Sequence, residues 1–131
     1  MLAKLRERRQ MLREESAFTL IELLVVLIII GVLLAIAVPS YLGFKDRASK
    51  LAVQANVRAA LPAAEAFYSD GNPQTYAGMT VAALQAIDQG VKVTKVSSTA
   101  TTYCLEDHFG GYYGYVNGPG GTIAVDTASH C

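Results

Sequence analysis

From Leu20 to Val38 the chain carries nineteen residues whose only polar side chain is Glu22. A helix needs about 20 residues to cross roughly 30 Å of hydrocarbon, so this run is long enough to span a membrane. Beyond it the apolar positions take up helical spacing in two stripes. Ala48, Leu51, Ala52, Ala55, Ala59, Ala63 and Ala66 form one, and Val53, Val57, Ala60, Ala64 and Phe67 form the other. A helix apolar over so wide an arc buries more than one side. The expectation is that one stripe lies on the protein's own sheet and the other faces further subunits, the alternative being a single wide core face.

A helix from Thr19 to Ser69 would hold 51 residues and run about 75 Å. Such an element cannot be packed along its whole length on so small a domain. Pro39 lacks an amide hydrogen and clashes with the turn before it, which predicts a kink or local break between Gly31 and Pro39; Pro62 predicts a second bend. Ser69-Asp70-Gly71-Asn72-Pro73 then supplies turn chemistry that ends the helix.

After a short helical pattern from Thr80 to Asp88, β-forming residues dominate. Strands are predicted at Val91 to Ser98, Thr102 to Phe109, Tyr112 to Asn117 and Thr122 to Asp126, separated by Gly-, Ser- and Thr-rich turns. The predicted fold class is α+β: a long N-terminal helix, membrane-spanning in its first half, packed on a small C-terminal antiparallel sheet.

Charge changes the picture at the N-terminus. The chain is formally neutral, which leaves no basic footprint for a nucleic acid. Residues 1–17, however, hold five basic side chains (Lys4, Arg6, Arg8, Arg9, Arg13) against three acidic ones (Glu7, Glu14, Glu15), a net +2 balanced by −2 in the remainder. A short basic leader before a span keeps the N-terminus in the cytoplasm and sends the rest across. A secretory signal peptide fits the same pattern, with an apolar core from Leu23 to Leu34 and a small-residue site at Ala35-Ile36-Ala37. That reading releases a soluble binding domain beginning at Val38 and leaves Glu22 unexplained.

The residues Ala17-Phe18-Thr19-Leu20-Ile21-Glu22-Leu23, with Gly31 and Pro39 downstream, resemble the N-terminus of the type IV pilins and of the pseudopilins of type II secretion and competence systems. The resemblance covers about 25 positions and does not extend by motif into residues 70–131. It implies three segments: a cleaved leader at 1–17, a transmembrane and assembly helix at 18–39, and a globular domain at 40–131. It further implies cleavage by a prepilin peptidase between Ala17 and Phe18, N-methylation of Phe18, and a role for Glu22 in assembly. Ala17 stands where the family usually has Gly, which implies slower cleavage. The implied partners are further copies of the chain in a helical filament, the peptidase, and the pilus assembly machinery of the inner membrane. The implied destination is a filament on the cell surface. A helix hinge at Gly31 and Pro39 belongs to the same pattern.

The chain has two cysteines, Cys104 and Cys131. They permit one disulfide in an exported domain, a reduced pair, or a bridge between chains. The family resemblance implies the first, since many pilins close a C-terminal loop this way. Cys104, His108, His130 and Cys131 are the residue types of a zinc site, but Cys104 and His108 on one strand would lie about 13 Å apart. Asp107 and Asp126 lack a calcium-type ligand loop. Tyr103, Phe109, Tyr112, Tyr113 and Tyr115 read as ordinary sheet residues. Ser97-Ser98-Thr99-Ala100-Thr101-Thr102 reads equally as a hairpin turn or a glycan acceptor. With no nucleophile–base pair and no phosphate loop, the sequence points to a structural protein without a cofactor or a metal.

Overall fold

The computed structural model covers residues 1–131 and describes the side chains of residues 1–11 and 19–131. Its elements run α1 (Leu2–Asp70), α2 (Val81–Ile87), β1 (Lys95–Ser98), β2 (Tyr103–Phe109), β3 (Tyr112–Gly118) and β4 (Ala124–Asp126). The chain divides into two compact units, Met1–Gly43 and Phe44–Cys131, with α1 contributing to both.

In the first unit every described residue is exposed, including all of Leu20 to Val38. Within one chain, that apolar surface has nothing to bury it. α1 begins at Leu2, well before the expected Thr19. Residues 2–11 are Leu, Ala, Lys, Arg, Glu, Gln and Met, all good helix formers, and neither Gly nor Pro occurs before Gly31. The helix is unbroken through Gly31, Pro39 and Pro62, so the local break that the prolines invite is absent. Each proline forfeits one helical bond, to Ala35 or to Arg58, and the flanking turns keep theirs.

In the second unit the two stripes of α1 separate. Val53, Val57, Ala60 and Ala64 are buried, whereas Ala48, Leu51, Ala55 and Ala59 are exposed. Ala63 crosses to the buried side, and Ala52 and Ala66 are half-buried. The core joins Val57, Ala60, Ala63 and Ala64 to Leu84 of α2, to Val91 and Val93, and to Tyr103, Leu105 and Val116 of the sheet. Gly114 lets β3 approach the helix, because a Cβ there would stand 2.8 Å from the Val53 backbone.

The four strands are antiparallel in the order β1-β2-β3-β4. Gly110 and Gly111 both have positive φ and form the two-residue turn between β2 and β3, the backbone a tight hairpin demands. β1 starts at Lys95 and not at Val91, because the Val91 amide donates to the Asp88 carbonyl (3.1 Å) in the turn that closes α2. Thr80 caps the start of α2, accepting from the Ala83 amide at 3.1 Å. β4 is likewise shorter than expected, pairing only from Ala124, opposite Tyr115.

Candidate functional site

On α1, Glu22 sits on a fully exposed stretch of apolar helix. An ionised side chain at the centre of a membrane helix costs roughly 2.5 to 3.5 kcal/mol, so such an acid is retained for a use. Ala17 and Phe18, the sequence-derived cleavage and methylation positions, lie outside the described residues. Pro39 and Gly31 are interior to α1, and the neighbouring Ser40 hydroxyl donates back to the Ile36 carbonyl (3.3 Å).

In the second unit, register sorts the sheet residues by face. Leu105 opposite Val116 and Asp107 opposite Gly114 face α1; Cys104 opposite Asn117, Glu106 opposite Tyr115 and His108 opposite Tyr113 face away. Cys104 and Cys131 are joined in a disulfide with Cα atoms 5.7 Å apart, 27 positions apart in sequence. The segment after β4 is thereby bound to the outer face.

A carboxylate under that tail holds it as well. Glu106 is 2% exposed. Its Oε1 accepts from the Ser129 hydroxyl at 2.8 Å, and its Oε2 accepts from the amides of His130 at 2.6 Å and Cys131 at 3.0 Å. Burial pushes the Glu106 carboxyl up; the amides of His130 and Cys131, the Ser129 hydroxyl and the charge of Lys95 outweigh it and hold the group below its ordinary value. The His130 ring stacks on Tyr115, with centroids 4.1 Å apart, and its Nε2 lies 2.8 Å from Asp126 Oδ2. That hydrogen bond first, and the Thr127 amide second, lower the Asp126 pKa.

The same geometry engages the residues of the candidate ion sites with other partners. Both sulfurs of the zinc-type set are consumed by the disulfide, His130 is held on Asp126, and His108 stacks on Tyr113 at 4.2 Å. Asp107 faces α1, where it accepts from the Asn56 amide at 2.7 Å, whereas Asp126 pairs with Tyr113 on the outer face. The two acids are therefore on opposite sides of the sheet. The aromatics divide too, because Tyr103 is buried while Phe109 is exposed.

Sequence reasoning missed Glu106 and Glu65, and weighed Asp107 only as a calcium ligand and not as the partner of Asn56. Glu65 accepts from the hydroxyls of Tyr76 (3.1 Å) and Tyr103 (3.4 Å) in a file of rings, Tyr68, Tyr76 and Tyr103, with centroids 4.5 and 4.8 Å apart. Burial first, then the Glu65 carboxylate, push the Tyr103 hydroxyl up to about 12. An adjacent acid pair in the middle of an otherwise aromatic and apolar strand, Glu106-Asp107, was the available signal.

The profile of the prokaryotic N-terminal methylation motif matches residues 12–38. Over 103 residues, 76% of this chain and 79% of the relative, the sequence is 34% identical to the type IV wide pilus major component PilA4 of Thermus thermophilus. It is 42% identical over 53 residues to the type IV major pilin protein PilA of Myxococcus xanthus, covering 40% of this chain and 24% of that one. It is 48% identical over 54 residues to the type IV narrow pilus major component PilA5 of Thermus thermophilus, covering 41% and 43% respectively. No solved structure matches.

Proposed function

This chain belongs to the type IV pilin family, and we propose that it is made as a membrane-anchored precursor, cut between Ala17 and Phe18 by a prepilin peptidase, methylated at Phe18, and polymerised from the inner membrane into a surface filament. The family is structural, not enzymatic, so its mechanism is assembly. The likeness that carries this reading is the one to a wide-pilus major component, because it extends through most of both chains and well past the N-terminal motif.

The chemistry of assembly follows from Glu22. Once residues 1–17 are removed, Glu22 is the fifth residue of the mature chain, within reach of the helix N-terminus, where the dipole favours an anion. The terminal amine of a neighbouring Phe18 is a cation of matching depth in the membrane. Desolvation offsets much of the attraction in such a pair, so its main effect is to fix the register between subunits. The exposed face from Leu20 to Val38 supports a membrane-held precursor, and the same face offers a surface for other copies in the filament. Gly31 and Pro39 serve as the hinge that lets the helix adapt on packing.

Immunogold imaging with an antibody to residues 44–131 tests the reading. Label along filaments on the cell surface is the expected result. Label confined to the medium as free protein would overturn it.

A further inference from the structure

The tail after β4 commits three hydrogen-bond donors to one buried side chain. Ser129 Oγ, the His130 amide and the Cys131 amide all converge on the Glu106 carboxylate. A buried carboxylate is costly unless its lone pairs are filled by donors, and charge-assisted bonds to backbone amides are among the stronger ones available. The position of Glu106 is itself fixed independently of the tail: its backbone pairs with Lys95 on one side and Tyr115 on the other, and its carbonyl accepts from the Thr94 amide at 2.9 Å. Cys104 lies two residues away on the same strand and the same face. A tail whose amides at 130 and 131 rest on Glu106 therefore has its sulfur already beside Cys104.

We propose that Glu106 is the positioning residue for the disulfide: its ionised carboxylate captures the tail noncovalently and presents the Cys131 thiol to Cys104 before the bond forms. The chemistry requires an oxidant of the disulfide class. One protein thiolate attacks that disulfide and expels a thiolate; the second protein thiolate attacks the protein sulfur of the mixed disulfide and expels the other. Two protein thiols lose two protons and two electrons, and the oxidant is reduced to two thiols. The second exchange is intramolecular, so it depends on how often the two sulfurs meet. A flexible linker gives an effective concentration of about millimolar, and docking on Glu106 raises it. The groups facing Glu106 are consistent with an anion: Lys95 from β1, Tyr115 from β3, and Ser129 and His130 from the tail. The His130 ring is turned aside onto Tyr115 and Asp126, leaving its amide for Glu106. The proposal is independent of whether the chain is assembled into a filament.

The test uses the full chain in detergent micelles, equilibrated against glutathione and glutathione disulfide at neutral pH, quenched, and quantified by intact mass. Glu106→Gln places an amide donor among three donors and is expected to lower the effective concentration of the pair by about tenfold or more. Ser129→Ala, on the exposed tail, is expected to lower it by about threefold without touching the sheet. A second readout separates positioning from folding. In the full chain carrying Cys104→Ser and Cys131→Ser, amide exchange at His130 should stay slow, and adding Glu106→Gln should release it while Leu105 and Val116 remain protected. An unprotected His130 amide in the bond-free chain would overturn the proposal. So would unchanged closure in both single variants, or a loss in Glu106→Gln that merely tracks exposure of Leu105 and Val116.

Discussion

Glu22 and Glu106 are both carboxylates in apolar company, and their settings give them opposite consequences. Among the described residues Glu22 has no buried neighbour in the single chain, so removing it should cost the fold nothing and ease insertion into lipid. Glu22→Ala is expected to accumulate in the membrane fraction while surface filaments disappear or thin, as scored by fractionation and electron microscopy. Glu106 is tied to the tail, and its folded pKa is depressed, so the stability it contributes is present above its ordinary value of 4.5 and is lost as pH falls through the lowered one. Asp126, also depressed, adds the same sign through His130. An acid titration followed by NMR should therefore show the amides of His130 and Cys131 shifting together, with a midpoint below 4.5, while Val116 stays fixed. Of these two acids only Glu22 was legible in the sequence, because it interrupts a uniform run. The partners of Glu106 lie 23 to 25 positions away with no periodicity to announce them.

The elements were legible in proportion to how local their causes are. The apolar run, the alanine stripes and the turn at Ser69 to Pro73 are short-range patterns, and α1 ends where they say, with the Gly71 amide returning to Tyr68 at 3.3 Å. The boundary of β1 depends on the Val91 amide finding Asp88, a competition between a turn and a ladder that alternation alone cannot reveal. α1 is continuous through Gly31 and Pro39 in the single chain, so the hinge proposed there has to arise on packing. Gly31 weakens the helix and Pro39 removes its bond to Ala35. If the helix opens there on assembly, the freed backbone groups exchange. Amide exchange in filaments is expected to be faster between Gly31 and Pro39 than between Leu51 and Ala60, and uniform protection along α1 would contradict the hinge.

For the whole molecule, two features divide the work. A disulfide closing 27 positions is worth roughly 3 to 4 kcal/mol by chain-entropy arithmetic, a large share of the 5 to 15 kcal/mol typical of a domain. The described stretch from Leu20 to Val38 is exposed throughout and adds nothing to that core within one chain; in the proposed function its surface meets lipid and other copies. The sequence pattern made this division visible because the family motif and the cysteines occupy opposite ends of the chain. It could not show which residues of the outer sheet face hold the tail, since that depends on register. The most direct measurement is the N-terminal residue and intact mass of this chain in filaments sheared from the cell surface. The expected result is N-methyl-Phe18 with a mass about 2 Da below the dithiol value, one disulfide having removed two hydrogens. A chain beginning at Val38, or filaments from which this chain is absent, would contradict it.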